Sequence, residues 1–296
     1  MLHRSFEIAL CFAVIASPAV ADDVGPNWFR DPAISPDGSQ IVFCHGGDLY
    51  LVESGGGRAV PLTIHEAHES GPVWSRDGSM IAFASDRAGN DDVYVMPAGG
   101  GPATRLTWHS ADDTPSDFTP DGKGVLFSSA RVDDANSALF PSGVLSELYT
   151  VPVSGGTPAM VLTTPALNAR LDRSGGRMLY EDRKGYEDPL RKHHTSAIAR
   201  DLWIFETSTG THTKITDFPG EDRDPHWSED EKSVYFLSER AGDFNVFRLP
   251  LRPGGRAEQI TRFEHHPVRD LSRADNGDMA FSWHGDLYTL AADGEP

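Results

Sequence analysis

The stretch Ser75–Thr107, SRDGSMIAFASDRAGNDDVYVMPAGGGPATRLT, holds three short apolar runs separated by turn signals, and near-copies of it precede and follow. Aligned on the turn, six phrases emerge: ISPDGSQIVF, WSRDGSMIAF, FTPDGKGVLF, LDRSGGRMLY, WSEDEKSVYF and SRADNGDMAF. They recur roughly every 40–55 residues, a period that signals a propeller or a solenoid. Each copy opens with a strand that ends at Asp-Gly or a relative such as Asn276-Gly277, turn chemistry suited to a tight hairpin. The next runs, such as Ile41-Val42-Phe43, Ile81-Ala82-Phe83 and Val234–Leu237, do not alternate apolar with polar, so both faces of each small sheet are predicted to be covered.

A third strand reads DLYLV, DVYVM, ELYTV, DLWIF, NVFRL or DLYTL. A glycine-rich turn follows, and then a fourth strand ending in Leu-Thr or Ile-Thr at Leu62-Thr63, Leu106-Thr107, Leu162-Thr163, Ile215-Thr216 and Ile260-Thr261. Four antiparallel strands per unit, repeated about an axis, make a β-propeller blade. No long 3.6-residue periodicity supports helices. The expectation is an all-β, six-bladed propeller of four-stranded antiparallel blades over residues 22–296. The sixth copy runs out after DLYTLAADGEP and is expected to lack its outer strand. VGPNWFR, before the first blade, is the alternative source of that edge strand, set back by its shortness and its proline. The unpaired outer edge reads as that of a piece cut from a longer chain, because a complete domain usually covers such an edge.

The first 21 residues follow a different pattern. A basic start at Arg4, an apolar run from Ile8 to Ala16 and the small residues Ala19-Val20-Ala21 fit a signal peptide covering 1–21. The run is too short to anchor in a membrane, so an exported, periplasmic or secreted chain beginning near Asp22 is expected, free of the membrane after cleavage. Cys11 leaves with the leader, Cys44 stands alone, and no internal disulfide is possible; its apolar surroundings predict a buried, inert thiol. The net charge of −18 and the lack of a basic stripe argue against nucleic acid.

With these repeats in place, the chain resembles TolB-type propellers and the N-terminal propeller of tricorn-type serine peptidases. The stretches Arg105–Arg131, Tyr186–Phe205 and Glu221–Phe247 are similar to the second group, and the similarity covers nearly the whole of 22–296. That resemblance implies a six-bladed propeller followed, in the parent protein, by a second propeller, a PDZ-like segment and a serine-peptidase core. It implies partners of two kinds: peptides or unfolded segments that the propeller binds or gates, and the downstream protease domains. The family's catalytic residues lie in regions this sequence does not contain, so no catalytic, cofactor-binding or metal residue is assigned and whether the chain takes part in an enzyme stays open. A self-standing TolB-like periplasmic propeller that docks proteins is the alternative, and the lid propeller of a prolyl-peptidase relative a third.

The chain's own chemistry is sparse. It has no G-x-S-x-G elbow, P-loop or C-x-x-C. HEAH at His65–His68 is one residue short of H-E-x-x-H and falls between strands. Asp91-Asp92, Asp112-Asp113 and Asp133-Asp134 lack calcium-loop spacing, and no cofactor is expected. With the first strand of each blade innermost, His45, His65, His68, His109, His193, His194, His265, His266 and His284 map to the end opposite the Asp-Gly turns. Arg87, Arg131, Arg183 and Arg240 map there too, with two insertions, 132–147 and 184–200. Long loops on a rigid scaffold are where binding usually resides, so this end is predicted to meet peptide or the next domain. Against that stands the bland alternative: solvated loop histidines, and arginines that brace their own hairpins.

Overall fold

The computed structural model describes residues 27–131, 145–185 and 195–292. Among the described residues there are 23 strands and no helix, arranged as six antiparallel sheets. Blade 1 is β1 (Arg30–Ile34), β2 (Gln40–His45), β3 (Asp48–Glu53) and β4 (Val60–Pro61), and blade 2 is β5 (Glu69–Trp74), β6 (Met80–Ser85), β7 (Asp92–Pro97) and β8 (Thr104–Arg105). Blade 3 comprises β9 (Asp113–Phe118), β10 (Gly124–Ser129), β11 (Glu147–Pro152) and β12 (Ala159–Leu162). Blade 4 comprises β13 (Ala166–Leu171), β14 (Arg177–Asp182), β15 (Leu202–Glu206) and β16 (Thr211–Lys214). Blade 5 holds β17 (Asp222–Trp227), β18 (Ser233–Ser238), β19 (Asn245–Pro250) and β20 (Glu258–Gln259). Blade 6 stops at three strands, β21 (Val268–Arg273), β22 (Met279–Trp283) and β23 (Asp286–Leu290).

The first strands lie innermost, as the repeat pattern predicts. β1, β5, β9, β13, β17 and β21 each pack against the next, and β21 returns to β1, closing a ring. Among the described residues every blade is contiguous in sequence, and no sheet is shared between the two ends of the ring. Its seam rests on Phe29 N–H to Gly285 O at 2.9 Å, Ile34 N–H to Ser272 Oγ at 2.9 Å and Asp275 N–H to Pro36 O at 2.9 Å. VGPNWFR therefore does not run along the outer edge of blade 6 over its described residues: Phe29 caps the β22–β23 turn and leads into β1.

The non-alternating runs are buried on both faces because each blade is wedged between two others. In β2, Val42 and Cys44 face blade 2, packing with Leu49 against Ile81, Phe83 and Met96, while Ile41 faces blade 6. The Asp-Gly turns owe their recurrence to a side-chain clasp. Ser35 Oγ donates to Asp37 Oδ1 at 2.6 Å while Ser39 N–H donates to the same oxygen at 3.0 Å. Ser75–Asp77, Thr119–Asp121 and Ser228–Asp230 repeat the clasp. These hydrogen bonds, the serine hydroxyl foremost, hold the carboxyls of Asp37 and Asp77 down to about 2. Gly38 and Gly78 follow at φ 78° and 70°, where a Cβ is penalised.

The fourth strands are shorter than the sequence suggests. In blades 1, 2 and 5 they are two residues long, and the Leu-Thr or Ile-Thr pair lies just beyond the ladder. The pair still joins the blade through side chains, the leucine or isoleucine in the seam and the threonine on strand three: Thr107 Oγ1 accepts Val93 N–H at 2.9 Å.

Candidate functional site

Every first strand carries a bulge at the same place. The register shifts between Arg30 and Ala33, Ser70 and Val73, Leu167 and Arg170, Arg223 and His226, and Arg269 and Ser272; in blade 3 the shift sets Ser116 out of register. In five blades a bulge residue is left-handed: Asp31 (φ 48°), Gly71 (56°), Asn168 (46°), Asp224 (50°) and Asp270 (55°). Aspartate, asparagine and glycine tolerate that region best. These residues line a cavity of about 1020 Å³ on the propeller axis, whose wall reaches from Pro36 and Asp275 at the Asp-Gly end to His266 and His284 at the other.

The bulge residues also tie neighbouring blades together. Asp31 N–H donates to Asp270 Oδ2 at 3.3 Å, and Gly71 N–H to Asp31 Oδ2 at 3.1 Å. Across the ring, Glu181 Oε1 accepts Asp224 N–H at 2.6 Å and Asn168 Nδ2–H at 2.8 Å, and Asn168 also donates to Asp224 Oδ1 at 3.1 Å. Crowding of carboxyls in a walled cavity raises their proton affinity. Burial first, then Asp270, pushes Asp31 up to about 6; burial first, then Glu181, pushes Asp224 up to about 7.

The opposing charge is arginine. Arg200 Nη1 sits 2.9 Å from Glu181 Oε2, and Arg170 lies among Asp117, Asp224 and Glu181, its own pKa lowered by burial. At the Asp-Gly end, Arg76 of blade 2 reaches past blade 3 to donate to Leu171 O of blade 4 at 2.7 Å, with Asp117 4.0 Å away. Eight arginines and seven acidic residues line the wall, so a chain of net charge −18 has an axial cavity close to charge balance. Such a wall offers donors and acceptors to any extended backbone without a strong preference for charge.

Residues 26–295 match the family model of the tricorn protease N-terminal β-propeller domain. The chain belongs to that family. The crystal structure of the tricorn protease superposes with a TM-score of 0.76 at 23% identity, covering 90% of this chain and 25% of that one. TolB from Acinetobacter baumannii superposes at 0.61 with 18% identity, over 82% of this chain and 56% of its own. In sequence, a Tol-Pal system protein TolB from Wolinella succinogenes is 40% identical over 60 residues, 20% of this chain and 14% of that protein. An uncharacterized peptidase of Bacillus subtilis, YuxL, is 31% identical over 79 residues, 27% of this chain and 12% of that relative. The tricorn-type propeller thus spans a small part of the relatives it matches in sequence.

Three of the four arginines predicted to face a ligand are spent within their own blades. Arg131 pairs with the buried Asp113 at 2.6 Å, bonds Ser129 Oγ and lies 5.0 Å from the rings of Phe127 and Tyr149. Arg240 repeats this with Asp222, Ser238 and Phe236, and Arg87 with Glu69, Ser85 and Tyr94. Arg183 donates its backbone N–H to Pro165 O. Buried acids on the first strands demand these cations, so the bracing alternative holds for the three hairpin arginines.

The described histidines of the predicted set, His45, His65, His68, His109, His265, His266 and His284, sit at the predicted end but do not converge, whereas His226, outside that set, lies buried within β17 on the cavity wall. His65 Nδ1 and His109 Nδ1 each accept the amide two residues on, at 2.9 and 3.0 Å, which makes them loop caps. His266 and His284 stack at 4.1 Å and alone of the set line the cavity. His193, His194 and Asp133-Asp134 lie outside the described residues, as do the leader and 132–144 and 186–194 of the insertions. The described foot of the second insertion matters more than the sequence suggests, because Arg200 descends from it into the cavity wall. Asp92 and Asp113 pair with Arg105 and Arg131, and among the described residues no cluster of three metal-ligating side chains occurs. Cys44 is buried, and burial pushes its thiol well up.

The bulge residues themselves escaped the sequence reading. Their signal is present: Asp31, Gly71, Asn168, Asp224 and Asp270 each stand six residues before the turn residue of their blade, Asp37, Asp77, Ser174, Asp230 and Asn276.

Proposed function

We propose that this chain is the non-catalytic propeller region of an exported tricorn-type serine peptidase, and that its axial cavity binds or gates extended peptides for a proteolytic core elsewhere in the parent protein. The observation that carries this reading is the cavity itself, lined by first strands from all six blades and mixed in charge. A peptide in extended form presents one donor and one acceptor per residue. The left-handed bulges and the arginines of the wall supply polar partners along the axis.

The test places a photo-cross-linking residue at Thr114, on the cavity wall, and in a second variant at Met160, on the outer face of blade 3. Unstructured peptides labelled at one end are then irradiated with each. Adducts at 114 in excess over 160 are the expected result, and adducts at 160 alone would refute the proposal. A TolB-like docking role is favoured by the 60-residue match to TolB. It would appear as adducts with a folded partner at 160 and none with peptides at 114.

A further inference from the structure

Just past the bulges, the first strands set a second ring of residues at one level of the axial cavity. Four positions before the turn residue of each blade stand Ala33, Val73, Asp117, Arg170, His226 and Ser272. Each is in ladder register with the second strand of its blade, and all six line the cavity. Blades 1 and 2 present small apolar side chains here. Blades 3 to 6 present a carboxylate, a guanidinium, an imidazole and a hydroxyl. The fold itself does not demand polar groups at this level, since alanine and valine serve the same position in two blades.

Two of the four polar side chains are committed to backbone amides, and two are left open. Asp117 accepts the N–H groups of Phe118 and Leu171, both at 2.8 Å, and Ser272 Oγ accepts Ile34 N–H at 2.9 Å. His226 Nε2 lies 2.8 Å from Leu271 O, an oxygen that can only accept, so Nε2 carries the proton and the neutral ring keeps a lone pair on Nδ1. Burial first, and then Arg170, push the pKa of this ring well down, which keeps it neutral. Among the described residues Nδ1 of His226 meets no partner. Neither does the guanidinium of Arg170, which feels the charges of Asp117, Asp224 and Glu181 without forming an ion pair with any of them. Neither group is sealed into the protein, and both open on the cavity. A half-buried guanidinium without an acceptor costs free energy unless something in the cavity meets it.

We propose that Arg170 and His226 form an amide-binding site on the axis, which holds one uncharged peptide unit from the interior of an extended segment. Arg170 donates to the carbonyl oxygen of that unit, and Nδ1 of His226 accepts its N–H. Donor and acceptor come from neighbouring first strands, β13 and β17, which pack against each other. The arrangement suits a neutral amide and disfavours both ends of a peptide. A terminal carboxylate would meet Arg170 but also the imidazole lone pair and the negative charge shared by Asp117, Asp224 and Glu181. A terminal ammonium brings no acceptor for Arg170. Ala33 and Val73, across the ring, are small and leave room for the side chains that flank the bound unit. The site therefore selects the middle of a chain, and it rests on the reading that the axial cavity receives extended peptides.

The probe is the uncharged peptide acetyl-Gly-Ser-Gly-Ser-Gly-Ser-amide, titrated into the full chain with isotope-labelled histidine and followed by nitrogen NMR. In parallel it is irradiated with the variant that carries the photo-cross-linker at position 114. Upfield movement of the His226 Nδ1 resonance, the signature of a lone pair that has gained a hydrogen bond, is the expected result. An oligosarcosine of equal length keeps the carbonyls but has no N–H, and it should bind about tenfold more weakly, as expected for one lost hydrogen bond. His226→Gln puts an amide nitrogen in the Nε2 place, so Leu271 O keeps a donor. This variant should bind the Gly-Ser peptide about tenfold more weakly and the oligosarcosine as before. Adducts at 114 with the His226 resonance unmoved would overturn this inference and leave the reading of the cavity standing. Tighter binding of the same peptide with a free carboxylate in place of its terminal amide would overturn it too. Neither adducts at 114 nor movement of the resonance would overturn both.

Discussion

Replacing Asp224 with asparagine removes one negative charge from the most crowded part of the axial wall and leaves its geometry intact. Blade 4 already has asparagine, Asn168, at the equivalent left-handed bulge with φ 46°, against 50° at Asp224. An asparagine carbonyl at 224 still accepts from Asn168 Nδ2, and the backbone N–H still donates to Glu181. What changes is titration. In the folded chain burial, and then Glu181, pushes Asp224 from 3.8 up to about 7, whereas the unfolded chain releases that proton near pH 4. Between those values the folded state binds more protons, so this group's contribution to stability is complete below about pH 4, falls as pH rises, and is gone above about 7. At about 1.4 kcal/mol per unit the shift sets a ceiling of about 4 kcal/mol. Water in the cavity and sharing of the proton with Glu181 reduce it to about 2 kcal/mol. Asp224→Asn is therefore expected to match the parent chain at about pH 3.5 and exceed it by about 2 kcal/mol at about pH 8. The assay is urea unfolding at both values with an unchanged m. Loss of stability at pH 8 would refute the reasoning, because it would mean that Arg200 and Arg223 hold Asp224 as a stabilised anion.

Arg240→Ala strands the buried Asp222 and is expected to cost about 3 kcal/mol in urea unfolding, with cross-linking of peptide at Thr114 unaffected. Leu106→Ala empties the plug of a full seam, and a loss of about 3 kcal/mol is expected in the same assay. The carboxyl of Asp77, held down to about 2 by Ser75 and Ser79, should titrate in NMR well below an ordinary aspartate. Its contribution to stability is present above about pH 4 and is lost as pH falls through about 2; Ser75→Ala should move the titration upward. Cys44 should react with a thiol reagent only at the rate of unfolding, since both burial and Asp31 disfavour its thiolate.

The ring was legible because its causes are local and repeated. Turn residues recur at fixed offsets, and runs such as Ile41–Phe43 that refuse to alternate require cover on both faces. The missing outer strand of blade 6 was equally plain from the absent Leu-Thr. The wall of the cavity was not, although its asparagine, glycine and aspartates keep a fixed six-residue offset. Asp-Pro at 31–32 and 224–225 reads as ordinary loop entry until register shows that the strand continues through it. The hairpin arginines misled for the opposite reason. Their partners, Glu69, Asp113 and Asp222, stand 18 residues upstream, a separation that only the pairing of the first two strands of each blade converts into contact.

The most direct measurement is a crystal structure of the chain soaked with an unstructured peptide. Peptide density along the axis, beside the bulges at Asp31, Asp224 and Asp270, is the expected result. Peptide seated on the outer rim with the axial cavity holding water alone would contradict the account.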